Sequence, residues 1–169
     1  MPAFDFEESV YRILQFLRDV GIGARLGDVR NGSFLPGIDV IDGALVVDVG
    51  KLKYPGDLLH EAGHLAVTPA ADRAAMSGEV VTPNSMAEFV ELEAILWSYA
   101  ACVHLGLDPR IVFHSDGYHG SSEALLLNFS LGVFPGLIGL ESEGMTLSPA
   151  AAERLGELPF PKMRKWLRD

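Results

Sequence analysis

His60 and His64 stand four residues apart with Glu61 beside the first, and Leu58, Leu59, Leu65, Ala66 and Val67 enclose them. The apolar flanks require burial, and a four-residue spacing stacks both imidazoles on one face of a helix. Unpaired polar groups are expensive in a core. Any fold open to this chain must therefore bring a compensating group to that face. Two imidazoles so spaced can bind one tetrahedral zinc ion. The glutamate of a His-Glu-x-x-His motif then lies beside the open coordination position, where it can take a proton from water. Gly63 is unfavourable in a helix by about 1 kcal/mol against alanine. A close approach by another backbone or by a substrate would explain it.

The neighbouring segments frame this helix. Pro55 can open it, Asp57 suits its first turn, and it must stop before Pro69. Upstream, Ile38–Ile41 and Ala44–Val49 flank Asp42-Gly43, a strong hairpin signal. The second run is apolar enough for a central strand. Phe6, Val10, Ile13, Leu14 and Leu17 predict an N-terminal amphipathic helix ending at Gly21, with an extended stretch over 24–29. Thr68 to Pro83 reads as a surface segment. A long helix is expected from Met86 to Leu105, opened by a Ser85/Glu88 capping box and closed by Gly106. Further helices are expected over 122–131 and 161–167. Trp97, Tyr99 and Trp166 read as packing residues, Cys102 as a small core residue and His104 as structural. Residues 1–169 read as one α+β domain, mostly helical, with a small β-hairpin or sheet beside the His-Glu-x-x-His helix.

A zinc site of this kind needs a third protein ligand, and the long helix offers Glu88, Glu91 and Glu93. Glu88 is engaged in the capping box. Glu91 shares a stripe with Glu88, Ile95 and Ser98, which reads as solvated. Glu93 shares its stripe with Phe89, Leu96, Trp97 and Ala100, which is apolar. A carboxylate on an apolar side needs a cation, so Glu93 is favoured and Glu91 is the alternative.

The loop His114-Ser115-Asp116-Gly117-Tyr118-His119-Gly120 is the other polar concentration. Tyr118, His114 or His119 could stabilise an oxyanion during hydrolysis. The alternative is a plain connecting loop with a helix cap at Ser121 or Ser122.

Charge narrows the partners. The formal net charge is −10, whereas nucleic acid and anionic lipid both call for a basic face. Neither nucleic acid nor a membrane is an expected partner. Hydrophobic residues at 49% and charged residues at 21% fit a globular chain rather than a disordered one. The most apolar stretch, 125–140, is broken by Asn128, Gly132, Pro135, Gly136 and Gly139 and reads as core. Cys102 has no partner for a disulfide, and MPAFDFEESVYR lacks the layout of a secretory signal. A cytoplasmic location is the resulting expectation.

From Ile38 to Ala101 the chain resembles the small gluzincin metallopeptidases of the ImmA/IrrE type. In that family a hydrophobic hairpin leads into a His-Glu-x-x-His helix, and a later helix supplies a glutamate followed by alanine. Here that segment reads Glu93-Ala94-Ile95-Leu96-Trp97-Ser98; Glu93-Ala94-Ile95 is also similar to the ligand segment of thermolysin-like peptidases. Ile95 stands where the family has asparagine, and Trp97 where thermolysin-like enzymes carry an aspartate behind a zinc histidine. The resemblance implies a single zincin-like domain that binds Zn2+ through His60, His64 and Glu93, with Glu61 as catalytic base and a peptide or protein as substrate. The alternative function is a metal-stabilised interaction or regulatory protein without turnover.

Overall fold

A computed structural model describes residues 5–30, 33, 35–78 and 87–169. Its elements run α1 (Phe6–Val20), β1 (Gly23–Leu26), β2 (Ile38–Ile41), β3 (Ala44–Val47), α2 (Asp57–Val67), α3 (Ala70–Arg73), α4 (Ala87–His104), α5 (Ser122–Ser130), α6 (Leu137–Ser142) and α7 (Pro149–Leu155). The fold is α+β, with helices around one three-stranded sheet, as the patterning predicts.

Local chemistry sets the boundaries. Asp5 caps α1 by accepting from the Glu8 amide, and Gly21 ends the helix in the left-handed region at φ 92°. Asp42 and Gly43 both take positive φ, 51° and 72°, the conformation a tight two-residue hairpin requires. β3 is the central strand, antiparallel to β2 and parallel to β1. The proposed capping box cannot be followed, because Ser85 lies outside the described residues.

α2 is buried on almost every side. Leu58, Leu59, Ala62, Leu65 and Ala66 are all completely inaccessible, each leucine worth about 1.5–3 kcal/mol of burial. Its principal neighbour is α4. Gly63 lies at the crossing: a Cβ there would stand 2.7 Å from the Ala94 carbonyl oxygen and 3.2 Å from Ala94 Cα. The close approach expected at Gly63 is made by the α4 backbone.

The C-terminal segment departs from expectation. Residues 161–167 form turns and bends instead of a helix. Their backbone groups are engaged elsewhere: the Trp166 carbonyl accepts from Trp97 Nε1 at 2.8 Å, and the Arg164 amide donates to Met145 at 2.8 Å. Arg168 then closes the end of α2. Its amide donates to the Ala66 carbonyl (2.9 Å) and its Nη1 to the Val67 carbonyl (2.8 Å), satisfying carbonyls that a helix terminus leaves open. Two helices absent from the sequence reading, α6 and α7, follow α5. The α7 signal was present in the sequence: Ser148 caps it, Pro149 opens it and Gly156 ends it at φ 68°.

Trp97, Phe113, Leu17, Leu45 and Leu140 anchor the core between sheet and helices, with Tyr99 packed against it. Cys102 is buried within the same core, its thiol pushed up to about 12, first by burial and then by Asp108. Among the described residues no helix is long and apolar enough to cross a membrane.

Candidate metal centre

α2 presents His60 and His64 from successive turns. Their Nε2 atoms stand 3.2 Å apart, with the rings edge to face. Glu61 is 8% exposed and His64 9%. A ring nitrogen of each histidine and a Glu61 carboxylate oxygen all lie within 4.8 Å of one another, and this cluster can hold a metal ion.

The carboxylate that meets both histidines from α4 is Glu91. Its Oε1 is 3.5 Å from His60 Nε2, and its Oε2 is 3.3 Å from His64 Nε2. A tetrahedral ion with bonds of about 2.0–2.1 Å holds its ligand atoms about 3.3–3.4 Å apart. The two histidine nitrogens, 3.2 Å apart, suit such an ion, and Glu91 approaches each of them with a different carboxylate oxygen; two imidazoles beside carboxylates are a donor set that fits a metal.

Glu93, which the sequence reading favoured as the third ligand, lies away from the histidine pair. It lies about 200° around α4 from Glu91, where the Arg168 guanidinium meets it at 3.5 Å, and its side chain packs against Gly139 of α6. The inference that a carboxylate on that face needs a cation was sound, but the cation is Arg168. The stripe assigned to solvent is buried in its second half, with Ile95 at 6% and Ser98 at 0% exposure, whereas Glu88 is exposed and Glu91 partly so.

Electrostatics keep the donors apart in character. Burial, with His64 adding to it, pushes His60 down to about 4, leaving a neutral imidazole as a ligand must be. Burial also acts to lower His64, but its contact with Glu91 and the charges of Glu61 and Glu91 outweigh this and raise it. Burial works to raise Glu91, and the two histidines overcome it and hold the carboxyl below its usual range.

The cluster opens into a cleft of about 670 Å3, walled by Leu35, Ile95 and Leu125 and by the loop after Phe113. The three loop candidates take different positions. Tyr118 Oη is 3.1 Å from His60 Nδ1, behind the ligand rather than across the open side of the cluster. Burial first, then Glu91 and Asp57, raises its phenol well above the usual tyrosine range. His114 Nε2 donates to Asp57 Oδ1 at 2.9 Å, and its Nδ1 is buried without a partner among the described residues. Tyr54 stacks on the His114 ring at 3.6 Å. His119 is exposed at the mouth of the cleft. Ser121 stands at the α5 N-cap position but makes no side-chain capping bond.

Two residues of the site escaped the sequence reading in these roles. Asp57, assigned to the helix dipole, is the buried partner of His114. Ser98, inaccessible on α4, acts to lower the Tyr118 phenol against the larger effect of burial, while its hydroxyl donates to the Ile95 carbonyl at 2.8 Å. The His114–Asp57 pairing joins distant segments and leaves no local signal.

No family model, curated protein or solved structure matches the chain. Its functional reading therefore rests on the geometry of this cluster.

Proposed function

We propose that this chain is a zinc-dependent hydrolase of the metallopeptidase type, with His60, His64 and Glu91 as ligands and Glu61 as general base. The observation that carries the reading is the meeting of two α2 imidazoles, 3.2 Å apart, with an α4 carboxylate that reaches both within 3.5 Å and a second carboxylate beside them at the head of an open cleft. A site built only for structure fills its fourth position from the protein and has no use for a base. The ImmA/IrrE-like arrangement of hairpin, His-Glu-x-x-His helix and later helix supports the same reading. The ligand taken from that later helix is Glu91, two residues before the Glu-Ala step that carries the resemblance.

Bound at these three side chains, zinc would supply Lewis acidity, making a water more acidic and a carbonyl carbon more electrophilic. Glu61 accepts the proton of the attacking water as its oxygen bonds to the carbonyl carbon. As the carbon–nitrogen bond breaks, Glu61 returns that proton to the leaving amine. His119, open at the mouth of the cleft, is the loop side chain free to donate to the substrate. The buried His114–Asp57 pair holds the loop.

The test is metal analysis of the purified chain followed by cleavage of a peptide library. One zinc per chain, with cleavage abolished by a chelator and restored by zinc, is the expected result. Full zinc occupancy with no cleavage across the library would favour the non-catalytic, metal-stabilised alternative. Absence of metal binding would remove both.

A further inference from the structure

The two histidines are supported unequally. His64 Nδ1 is buried with no hydrogen-bond partner among the described residues, whereas His60 Nδ1 meets the Tyr118 phenol at 3.1 Å. With Nε2 of His60 turned to Glu91 and His64, the ring proton belongs on Nδ1, where it donates to the phenol oxygen.

The loop is built to hold that phenol in place. Tyr118 and His119 both take positive φ, 53° and 52°. Such backbone is unfavourable for residues other than glycine and persists only where surrounding contacts over-determine it. Those contacts are on both sides of Tyr118. His114 is fixed by Asp57 at 2.9 Å and by the Tyr54 ring, and the Tyr54 hydroxyl donates to Asp116 at 2.7 Å. Ser122 Oγ donates to the His114 carbonyl at 2.6 Å. The Tyr118 ring packs against Phe113 at 5.1 Å and edge-on to His60 at 5.4 Å. Asp57 begins the helix that carries His60, so one element presents the ligand and anchors the loop that orients it.

We infer that Tyr118 is a positioning residue for the metal centre: its hydroxyl fixes the tautomer and ring orientation of His60, in place of the oxyanion role its sequence position suggests. The inference rests on His60 being a metal ligand. A partner of this kind orients the ring and strengthens the ligand.

Tyr118→Phe removes the hydroxyl and keeps the ring packing. Zinc affinity, measured by competition with a chromophoric chelator, should fall about 10–100-fold, the usual effect of losing such a partner. The melting temperature of the metal-free protein should fall by less than the affinity loss corresponds to, because ring packing against Phe113 and His60 still holds Tyr118. In zinc-loaded protein labelled with 15N-histidine, the His60 Nδ1 proton should be protected from exchange in wild type and lose that protection in Tyr118→Phe. Equal affinity in the two proteins, or an affinity loss matched by destabilisation of the metal-free form, overturns the inference and leaves the proposed function standing. Failure of wild type to bind zinc overturns both. Should Tyr118→Phe not fold, Asp57→Asn loosens the loop anchor instead. It should weaken zinc binding in the same direction, and unchanged affinity there also overturns the inference.

Discussion

Arg168 reaches from the C-terminal segment to Glu93, its Nη1 3.5 Å from Oε2, while its Nη2 bonds Glu143 at 2.8 Å. This pairing holds Glu93 away from the histidines, and Glu91 is the α4 carboxylate that stands beside them. Burial raises the Glu93 carboxyl against the opposing pull of Arg168. Glu93→Gln should therefore retain zinc affinity within a few-fold. Glu91→Ala should lose more than the about 10–100-fold typical of an outer partner. Zinc titration of the two variants decides between them, and the reverse pattern would restore Glu93 as the ligand.

Gly63→Ala isolates the helix crossing. Alanine improves helix propensity by about 1 kcal/mol, but the added Cβ would stand 2.7 Å from the Ala94 carbonyl oxygen. Overpacking of this sort destabilises by about 1–3 kcal/mol. Urea denaturation should show a net loss of stability. Because α2 and α4 carry the donors on either side of the crossing, zinc affinity should fall with it. A gain in stability would show that the helices can separate freely.

The helix, hairpin and histidine pair were legible because each is written in neighbouring residues: Asp42-Gly43 between β-branched runs, His60 and His64 in an apolar frame, Gly21 after the α1 stripe. The choice between Glu91 and Glu93 was not. Both stripes of α4 begin exposed, at Glu88 and Phe89, and end buried, at Ser98 and Trp97, so polarity along them does not tell which side meets α2. The deciding residue, Arg168, lies on a segment whose backbone bonds to Trp97, Met145 and α2 rather than to itself. Helical propensity over 161–167 misled for the same reason. The three loop candidates line one cleft, but only the fold separates Tyr118 behind His60 from His119 at the mouth.

Acid should loosen the loop before it unfolds the protein. The contacts of Asp116 with Lys53 and then Tyr54 lower its carboxyl from an ordinary value of 3.8 to about 2. A carboxyl depressed in the folded state contributes stability above its unfolded value, and that contribution is lost as pH falls through the folded one. The loss should therefore run between about pH 4 and pH 2. The pair is exposed, so the effect should be small. Comparing the pH dependence of stability in wild type and Asp116→Asn checks it: the variant should be flatter over this interval, and identical profiles would show that the contact contributes nothing.

Zinc should stabilise the fold. A ligand that binds only the native state adds about 2.7 kcal/mol at a hundredfold excess over its dissociation constant. Thermal melts with added zinc should shift upward in wild type and fail to shift in His64→Ala. An equal shift in both would place the metal elsewhere.

Glu61→Gln tests the central claim most directly, because it separates holding the metal from using it. Glutamine matches glutamate in shape but cannot accept the proton. The variant should keep one zinc per chain and the wild-type fold, while peptide hydrolysis falls about 10²–10⁴-fold, the contribution of a positioned acid–base group. Hydrolysis that survives undiminished in zinc-loaded Glu61→Gln would contradict the account.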